Sequence, residues 1–483
     1  MKLSSWFVVS LLVAAGSFVH AAPPAKPNFV VINIDDLGYA DISPFGGKIP
    51  TPHLDRMARE GRKLTSHYAA PVCSPSRAAL MTGCYPKRVL PIPGVLFPAA
   101  AVGLNPEEVT VAEVLKTQGY ATACIGKWHL GDQPEFLPTR QGFDTYFGIP
   151  FSNDMGPRSE GAKSNLGAPL PTGTPAPPPK SPDPDEAGIR GPQPPTPLLE
   201  NEKVVARVGP AEQRLFTGQY TERAVKFIRE HREGAFFVYL PHNAVHFPHY
   251  PSPEFTGKSG KNLQADWVLE VDASVGRILD TLRELKLDER TLVIFTSDNG
   301  GPLQQGCDNG PLRGGKGSTL EGGMRVCTIA WWPGQVPAGS ETADITAMID
   351  VMPTLAALAG AKLPANRKLD GRDVRGSLLG TPAAEARDVF HYFRGPTLEA
   401  VRRGSWKLHL AQGELYNLAD DIGEAKNVAA EHADVVAQLR ALADAMDQDL
   451  GNKQAGPGVR PLGRVENPLP LIGFDGKPRP GFE

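Results

Sequence analysis

The sequence predicts an α/β fold, with a mixed, mostly parallel sheet flanked by helices and a smaller C-terminal α+β domain. Two apolar, β-branched segments, residues 28–34 and 291–296, have the composition of buried parallel strands, and helical patterns separate them. From about residue 377 the pattern changes to short, closely spaced strands followed by one helix. We therefore expect a large domain over residues 23–376, a small domain over 377–450 and an extended tail over 451–483.

The remaining elements follow from apolar periodicity and from the residues that end each segment. Glycine follows several of the helical patterns, as it does at many helix ends. In the large domain, helices are predicted at residues 51–61, 110–118, 220–230, 265–285 and 350–359, and strands at 120–125, 235–240 and 328–332. In the small domain, strands are predicted at residues 389–393, 398–402, 406–410 and 414–416, and a helix at 431–450.

The first 22 residues have the pattern of a signal peptide. Lys2 supplies a positive start, residues 6–19 are apolar, and Ala21 and Ala22 provide a small-residue exit. The apolar run is too short for a stable membrane span. We expect an exported protein, periplasmic or secreted. Residues 168–197 are rich in proline and are expected to form an insertion or surface loop.

Net charge and cysteine content limit the partners and the covalent structure. The formal net charge of −3 argues against a general nucleic-acid binder, so an anionic ligand needs a local cationic site.

An exported protein can form disulfides. Four cysteines besides Cys73 allow three pairings, and the sequence does not choose among them: Cys84, Cys124, Cys307 and Cys327.

Acidic residues follow two of the predicted parallel strands. Asp35 and Asp36 come after the first strand, and Asp298 and Asn299 come after the strand at 291–296. The carboxyl ends of such strands meet at one edge of the sheet. A set of oxygen ligands favours calcium over zinc, and suits magnesium less well. Without an ion, repulsion between the carboxylates should make Asp298→Ala neutral or stabilising.

Residues 73–83 read as the start of a helix. Ser74 is a candidate cap and Pro75 suits the first helical position. Cys73 would then lie just outside the helix N-terminus, where a cysteine becomes reactive. The plainer alternative is a buried structural cysteine.

The spacing Cys73-x-Pro75-x-Arg77, followed by Leu80-x-Thr82-Gly83, resembles the signature of the type I sulfatases. Cys84 departs from it, because a basic residue is usual there. The resemblance implies an alkaline-phosphatase-like fold. It also implies that a formylglycine-generating enzyme or its equivalent oxidises Cys73 to Cα-formylglycine (3-oxoalanine). The hydrated aldehyde would serve as nucleophile and as a ligand of a calcium ion with Asp35, Asp36, Asp298 and Asn299.

Three further segments extend the resemblance, which is closest to the arylsulfatase A-like subgroup. Residues 126–129, Gly-Lys-Trp-His, resemble the second sulfatase signature, and residues 148–154 resemble the loop whose serine, Ser152 here, approaches the sulfate. Residues 313–323 resemble the segment with a catalytic lysine, although Cys327 stands where proline is common. The resemblance implies that Lys127 and Lys316 bind the sulfuryl oxygens, and that His246 contacts the sulfate and protonates the leaving alcohol. The metal and Arg77 would lower the pKa of the nucleophilic hydroxyl at residue 73. His129 would remove a proton from the second hydroxyl of the sulfated diol, which releases sulfate.

The implied activity is hydrolysis of sulfate esters of a small molecule or glycan. Two alternatives remain open at this point. One is a formylglycine-dependent phosphonate or phosphate ester hydrolase of the same superfamily. The other is an inactive homologue that binds sulfated glycans, with Cys73 unmodified.

Overall fold

A ten-stranded mixed sheet forms the centre of the structure, a computed structural model that describes residues 26–171, 188–381 and 386–483. The predicted signal peptide and residues 172–187 of the proline-rich segment lie outside these ranges. In chain order the strands of this sheet are β1 (Asn28–Ile34), β2 (Arg62–Leu64), β3 (Ala121–Ile125), β4 (Thr145–Gly148), β5 (Pro197–Glu200), β6 (Lys203–Arg207), β7 (Phe236–Pro241), β8 (Thr291–Ser297), β9 (Ile329–Trp331) and β10 (Ser340–Thr342).

The strand order is β10-β2-β9-β8-β1-β7-β3-β4-β5-β6, and the five strands from β8 to β4 are mutually parallel. The register pairs Ile34 of β1 with Ser297 of β8. Parallel strands end at the same edge, so the residues that follow β1 and β8 are brought together there. The α/β prediction is confirmed.

Helices cover both faces of this sheet. In chain order they are α1 (Pro52–Glu60), α2 (Cys73–Thr82), α3 (Pro86–Val89), α4 (Val111–Lys116), α5 (Pro210–Gln213), α6 (Phe216–Glu230), α7 (Leu263–Glu284), α8 (Glu321–Met324), α9 (Val351–Ala359), α10 (Arg375–Leu379) and α11 (Ala433–Leu450). Side chains of β1 alternate between two cores. Phe29 and Val31 pack with α2, α4 and α9, whereas Val30 and Ile32 pack with α1, α6 and α7.

The C-terminal domain is a four-stranded antiparallel sheet with one helix packed against it, as predicted. Its strands, in spatial as well as chain order, are β11 (Val389–Arg394), β12 (Thr397–Arg403), β13 (Trp406–His409) and β14 (Glu414–Asn417). Helix α11 packs against β12 and β13. The domain limits at 376 and 450 remain predictions.

The chain beyond α11 returns to the large domain. Gly463–Arg464 forms a two-stranded antiparallel pair with Val102–Gly103. The carbonyl of Phe482 accepts a hydrogen bond from the backbone of Val204 in β6, and the Phe482 ring is buried. A small three-stranded sheet completes the fold, in the order Arg325–Val326, His67–Tyr68 and Thr346–Ala347.

Two local predictions differ from the structure. Ser74 does not cap a helix, because α2 begins at Cys73 and the Ser74 hydroxyl accepts a hydrogen bond from Leu96 N at 3.2 Å. The sequence does not predict strands β2, β4, β5, β6 and β10, since β2, β4 and β10 have only three or four residues and β5 begins at Pro197, at the end of the proline-rich segment. Proline is tolerated there because this hairpin lies at the end of the sheet.

The helices in the described ranges offer no span long and apolar enough to cross a bilayer.

Candidate active site

The acidic residues predicted at two strand ends meet at one edge of the sheet. Asp35, Asp36, Asp298 and Asn299 are all almost fully buried. Asn299 donates from Nδ2 to Asp36 Oδ1 at 2.8 Å, while its Oδ1 is buried and has no partner among the described residues. Asp36 has a φ of 64°, which is uncommon for a residue with a side chain and aims its carboxylate into this cluster.

The start of helix α2 brings Cys73 and Arg77 against these acids. The Cys73 thiol donates to Asp35 Oδ1 at 3.2 Å. Burial, Asp298 and Asp35 raise the pKa of this thiol well above its usual value, which is opposite to the shift that a helix N-terminus favours. Arg77 donates from Nε and Nη2 to Asp298 Oδ2 at 3.0 and 2.8 Å, and both side chains are fully buried.

Two lysines reach the same carboxylates from separate loops. Lys127 follows β3, forms an ion pair with Asp35, and donates to Ser152 Oγ at 3.2 Å. The Nζ of Lys316 donates to Asp36 Oδ2 at 2.8 Å. Burial alone would lower the pKa of each lysine, but the neighbouring anionic groups, led by Asp35 for Lys127 and by Asp36 for Lys316, together outweigh burial and raise the pKa. Both lysines are therefore charged.

The two predicted histidines have different surroundings. His246 Nε2 lies 3.6 Å from Asp36 Oδ2, and its Nδ1 lies 3.4 Å from Ser152 Oγ. His129 Nε2 donates to the carbonyl of Leu96 at 2.9 Å, which leaves Nδ1 as an acceptor without a partner in the described chain. Burial, Lys127 and Arg77 lower the pKa of His129 well below its usual value, so the ring is neutral.

The cluster fits a divalent cation. One ligand atom from each of Asp35, Asp36, Cys73 and His246 lies within 4.8 Å of the others. Asp35, Asp36 and the unpartnered Asn299 Oδ1 supply oxygen donors, which suit a hard ion, whereas the Cys73 thiol and the His246 ring in the same group are softer donors. Lys127, Lys316 and Arg77 pair with the carboxylates.

The residues predicted for the site therefore lie in one constellation around Asp35 and Asp36, and all of them are buried except the half-buried Lys316. The Leu96 carbonyl that orients His129 has no signal in the sequence, because a backbone group has no residue-type signature. All five cysteines are buried and unpaired, including the four left open for disulfides.

Comparison with known proteins gives the family. The profile described as Sulfatase matches residues 27–361. Arylsulfatase A of Homo sapiens is 40% identical over 422 residues, covering 84% of this chain and 79% of that protein. The chain belongs to the sulfatase family. Mouse steryl-sulfatase is 38% identical over 448 residues, covering 82% of this chain and 72% of that sulfatase.

Solved structures agree with this sulfatase fold. The PsFucS1 sulfatase from Pseudoalteromonas sp. superposes with a TM-score of 0.77 at 27% identity, over 91% of this chain and 92% of that one. Ps i-CgsB, solved in complex with k-i-k-neocarrahexaose, superposes with a TM-score of 0.72 at 31% identity, over 87% of this chain and 92% of that one. This sulfatase hydrolyses sulfate esters, and the two alternatives, a phosphonate or phosphate ester hydrolase and an inactive glycan binder, are not favoured.

A cavity of about 830 Å³, lined by polar and apolar groups, adjoins the segment that carries Lys316. Gly317–Leu320 form one wall, and the C-terminal domain supplies the others, including Glu399, His409 and Arg440. Its volume is in the range of ligand sites.

Proposed function

We propose that this sulfatase removes sulfate from sulfated carbohydrates, using residue 73 as formylglycine and a bound calcium ion. The observation that carries the proposal is the position of residue 73. Its side chain contacts Asp35, whose other oxygen pairs with Lys127, beside Asp36 and its partner Lys316. A nucleophile at position 73 is thus next to cationic groups that can hold an anionic ester.

Calcium would be held by Asp35, Asp36, Asp298 and Asn299 together with residue 73. When bound, the ion neutralises charge on the ester, and the oxidised residue 73 supplies a hydroxyl nucleophile that the buried thiol does not. Conversion requires a formylglycine-generating or equivalent enzyme during maturation. The Cys-x-Pro-x-Arg segment supports this requirement. Export, periplasmic or secreted, is proposed on the leader sequence.

The chain's own cations bind the ester and its developing charge. Lys127 and Lys316 are held in charged form beside Asp35 and Asp36, and they present ammonium groups from two directions. Arg77 keeps Asp298 oriented through two hydrogen bonds. Ser152 lies between Lys127 and His246, where its hydroxyl can contact a sulfate oxygen.

The two histidines are suited to opposite proton transfers. His246 is buried beside Ser152 and Asp36, within reach of the cationic groups that would hold the sulfate, so it can donate a proton to the leaving alcohol. His129 is neutral, and its Nε2 proton is held by the Leu96 carbonyl. Its unpartnered Nδ1 can therefore accept a proton from residue 73.

A carbohydrate substrate is supported by two observations. N-acetylgalactosamine-6-sulfatase from dog is 37% identical over 84% of this chain, and Ps i-CgsB was solved with a neocarrahexaose. Phosphonate monoester hydrolase shares the fold at 20% identity and gives no argument for phosphonate chemistry here.

The test is hydrolysis of a panel containing sulfated monosaccharides and oligosaccharides, an aryl sulfate, and phosphate mono- and diesters. The calcium-loaded, matured enzyme should release sulfate from a sulfated sugar with the highest kcat/KM, and Cys73→Ala should abolish this. Preference for a phosphate ester, or full activity of Cys73→Ala, would contradict the proposal.

A further inference from the structure

The loop that carries Lys316, residues 313–321, is held by side chains from the C-terminal domain. This Lys316 loop lies between the active site and that domain. On its inner side, Lys316 Nζ reaches Asp36 at 2.8 Å, and Gly317 N donates to the carbonyl of Pro71, two residues before Cys73. Its conformation therefore sets the position of the Lys316 ammonium.

Two buried residues of the C-terminal domain, Glu424 and Lys407, fix both ends of this loop. At the first end, Arg313 Nη1 donates to the carbonyl of Glu424 at 2.9 Å. At the other end, the Glu424 carboxylate accepts from Glu321 N at 2.7 Å, and Lys407 Nζ donates to Thr319 O and Glu321 Oε1, each at 2.9 Å.

Lys407 and Glu424 also pair with each other at 2.9 Å, and both are fully buried. His409 adds a contact of 2.7 Å to the same Glu424 oxygen. Burying charges is costly, and an ion pair in the interior is not in itself evidence of a stabilising contact. Glu424 also has a φ of 53°, in the left-handed region that disfavours a residue with a side chain. A strained backbone and a buried ion pair at one place indicate a requirement other than packing.

We propose that Lys407 and Glu424 are positioning residues for Lys316, so that the C-terminal domain sets the geometry of the sulfate site. The proposal rests on the role that the proposed function gives Lys316. Lys316 is on a glycine-rich loop, with Gly314, Gly315 and Gly317 around it, and such a backbone has many alternative conformations. The Lys407–Glu424 pair selects one of them, and a preorganised cation stabilises developing charge more than a mobile one does.

The test is a double-mutant cycle on the calcium-loaded, matured enzyme, with kcat and KM measured on one sulfate ester. Lys407→Met removes the donor to Thr319 and Glu321, and it should lower kcat roughly 10- to 100-fold, as expected for a misplaced catalytic group. In a Lys316→Ala background the same change should cost less than about threefold, because the lysine it positions is already absent.

Glu424→Gln is the second variant, in case Lys407→Met fails to fold, because glutamine keeps the shape of the glutamate side chain. It should lower kcat in the wild-type background and change it little in the Lys316→Ala background. The matched control is Arg387→Met. Arg387 forms a buried ion pair with Asp350, with Nε 3.0 Å from Asp350 Oδ2, and this substitution breaks it. The pair joins the start of the C-terminal sheet to the large domain and has no contact with the Lys316 loop. Arg387→Met should lower the unfolding temperature with kcat changed less than about threefold in either background.

Equal losses of kcat from Lys407→Met or Glu424→Gln in both backgrounds would overturn the positioning role, while Lys316→Ala itself remained impaired. Full activity of Lys316→Ala would instead contradict the role of Lys316 in the proposed function, and the positioning role with it.

Discussion

At the scale of single residues, the site depends on opposite charges that pair in the protein interior. Asp298 is the clearest example. Considered alone, three clustered carboxylates suggest repulsion that Asp298→Ala would relieve, and in the structure burial and Asp35 do raise the pKa of the Asp298 carboxyl. The structure also shows an opposing contribution, because Asp298 Oδ2 accepts two hydrogen bonds from the fully buried Arg77. We expect the loss of these bonds to outweigh the relief of repulsion.

Asp298→Ala should therefore destabilise the calcium-free protein, on the order of 3–5 kcal/mol, since it leaves the Arg77 charge buried without its main partner. Urea unfolding of the calcium-free wild type and variant measures this. Asp298→Asn is the control that keeps an acceptor oxygen, and it should cost less. An unchanged or raised midpoint for Asp298→Ala would show that repulsion dominates.

His246 gives a second prediction at this scale, which concerns the leaving group. An alkoxide needs a proton as its bond to sulfur breaks, whereas a phenolate, from an acid with a pKa of about 10, leaves more readily. His246→Ala should lower kcat/KM for a carbohydrate sulfate by roughly 10²- to 10⁴-fold and for an activated aryl sulfate far less.

Lys316→Ala is the control for this comparison, because it should impair both substrates by similar factors. Both variants are measured under conditions in which the first chemical step limits the rate. Equal losses on the two substrates in His246→Ala would mean that His246 binds sulfate without protonating the leaving oxygen.

At the scale of elements, the site is built where the ends of neighbouring strands approach each other closely. Gly126 follows β3 with a φ of 133°, and a side chain there would begin 1.9 Å from the carbonyl oxygen of Pro241 at the end of β7. Gly148, at the end of β4, lies against the carbonyl oxygen of Gly126 in the same way. This close approach places Lys127 and Ser152 beside each other.

Gly126→Ala should cost about 3 kcal/mol or more in the free energy of unfolding, because backbone on both sides must move. Gly218→Ala is the matched control. It lies on the exposed face of α6 with open space around it, and should stabilise by about 0.5–1 kcal/mol. Chemical denaturation measures the free energy of unfolding of both variants. A similar small change in both would contradict the claim that close backbone approach at Gly126 excludes a side chain.

How much of this could be predicted depends on whether the signal is local. Strands β1 and β8 are apolar runs with acids at their ends, so both the elements and the meeting of Asp35 with Asp298 follow from sequence. The hairpin β5–β6 is hidden because it begins at Pro197, directly after a proline-rich segment. The Lys407–Glu424 pair is also hidden, because lysine and glutamate are normally exposed, and only the tertiary fold buries these two.

At the scale of the whole molecule, the bound ion should couple the sheet edge to global stability. Calcium binding to the folded state alone raises stability by about 2.7 kcal/mol at a hundredfold excess over Kd. The chelated protein should remain folded, since Lys127 and Lys316 pair with the acids, but should have a lower Tm and no activity. Calcium should restore both better than magnesium. Elemental analysis finding stoichiometric zinc without calcium in active enzyme would contradict this.

The central claim is that residue 73 acts as formylglycine in a sulfatase site. Mass spectrometry of the tryptic peptide spanning residues 64–77, from enzyme made with a competent modifying system, tests it most directly when paired with activity of the same preparation. The account predicts that formylglycine occupancy and sulfate release rise together across preparations. Full sulfate ester hydrolysis by protein that carries only cysteine at position 73 would contradict it.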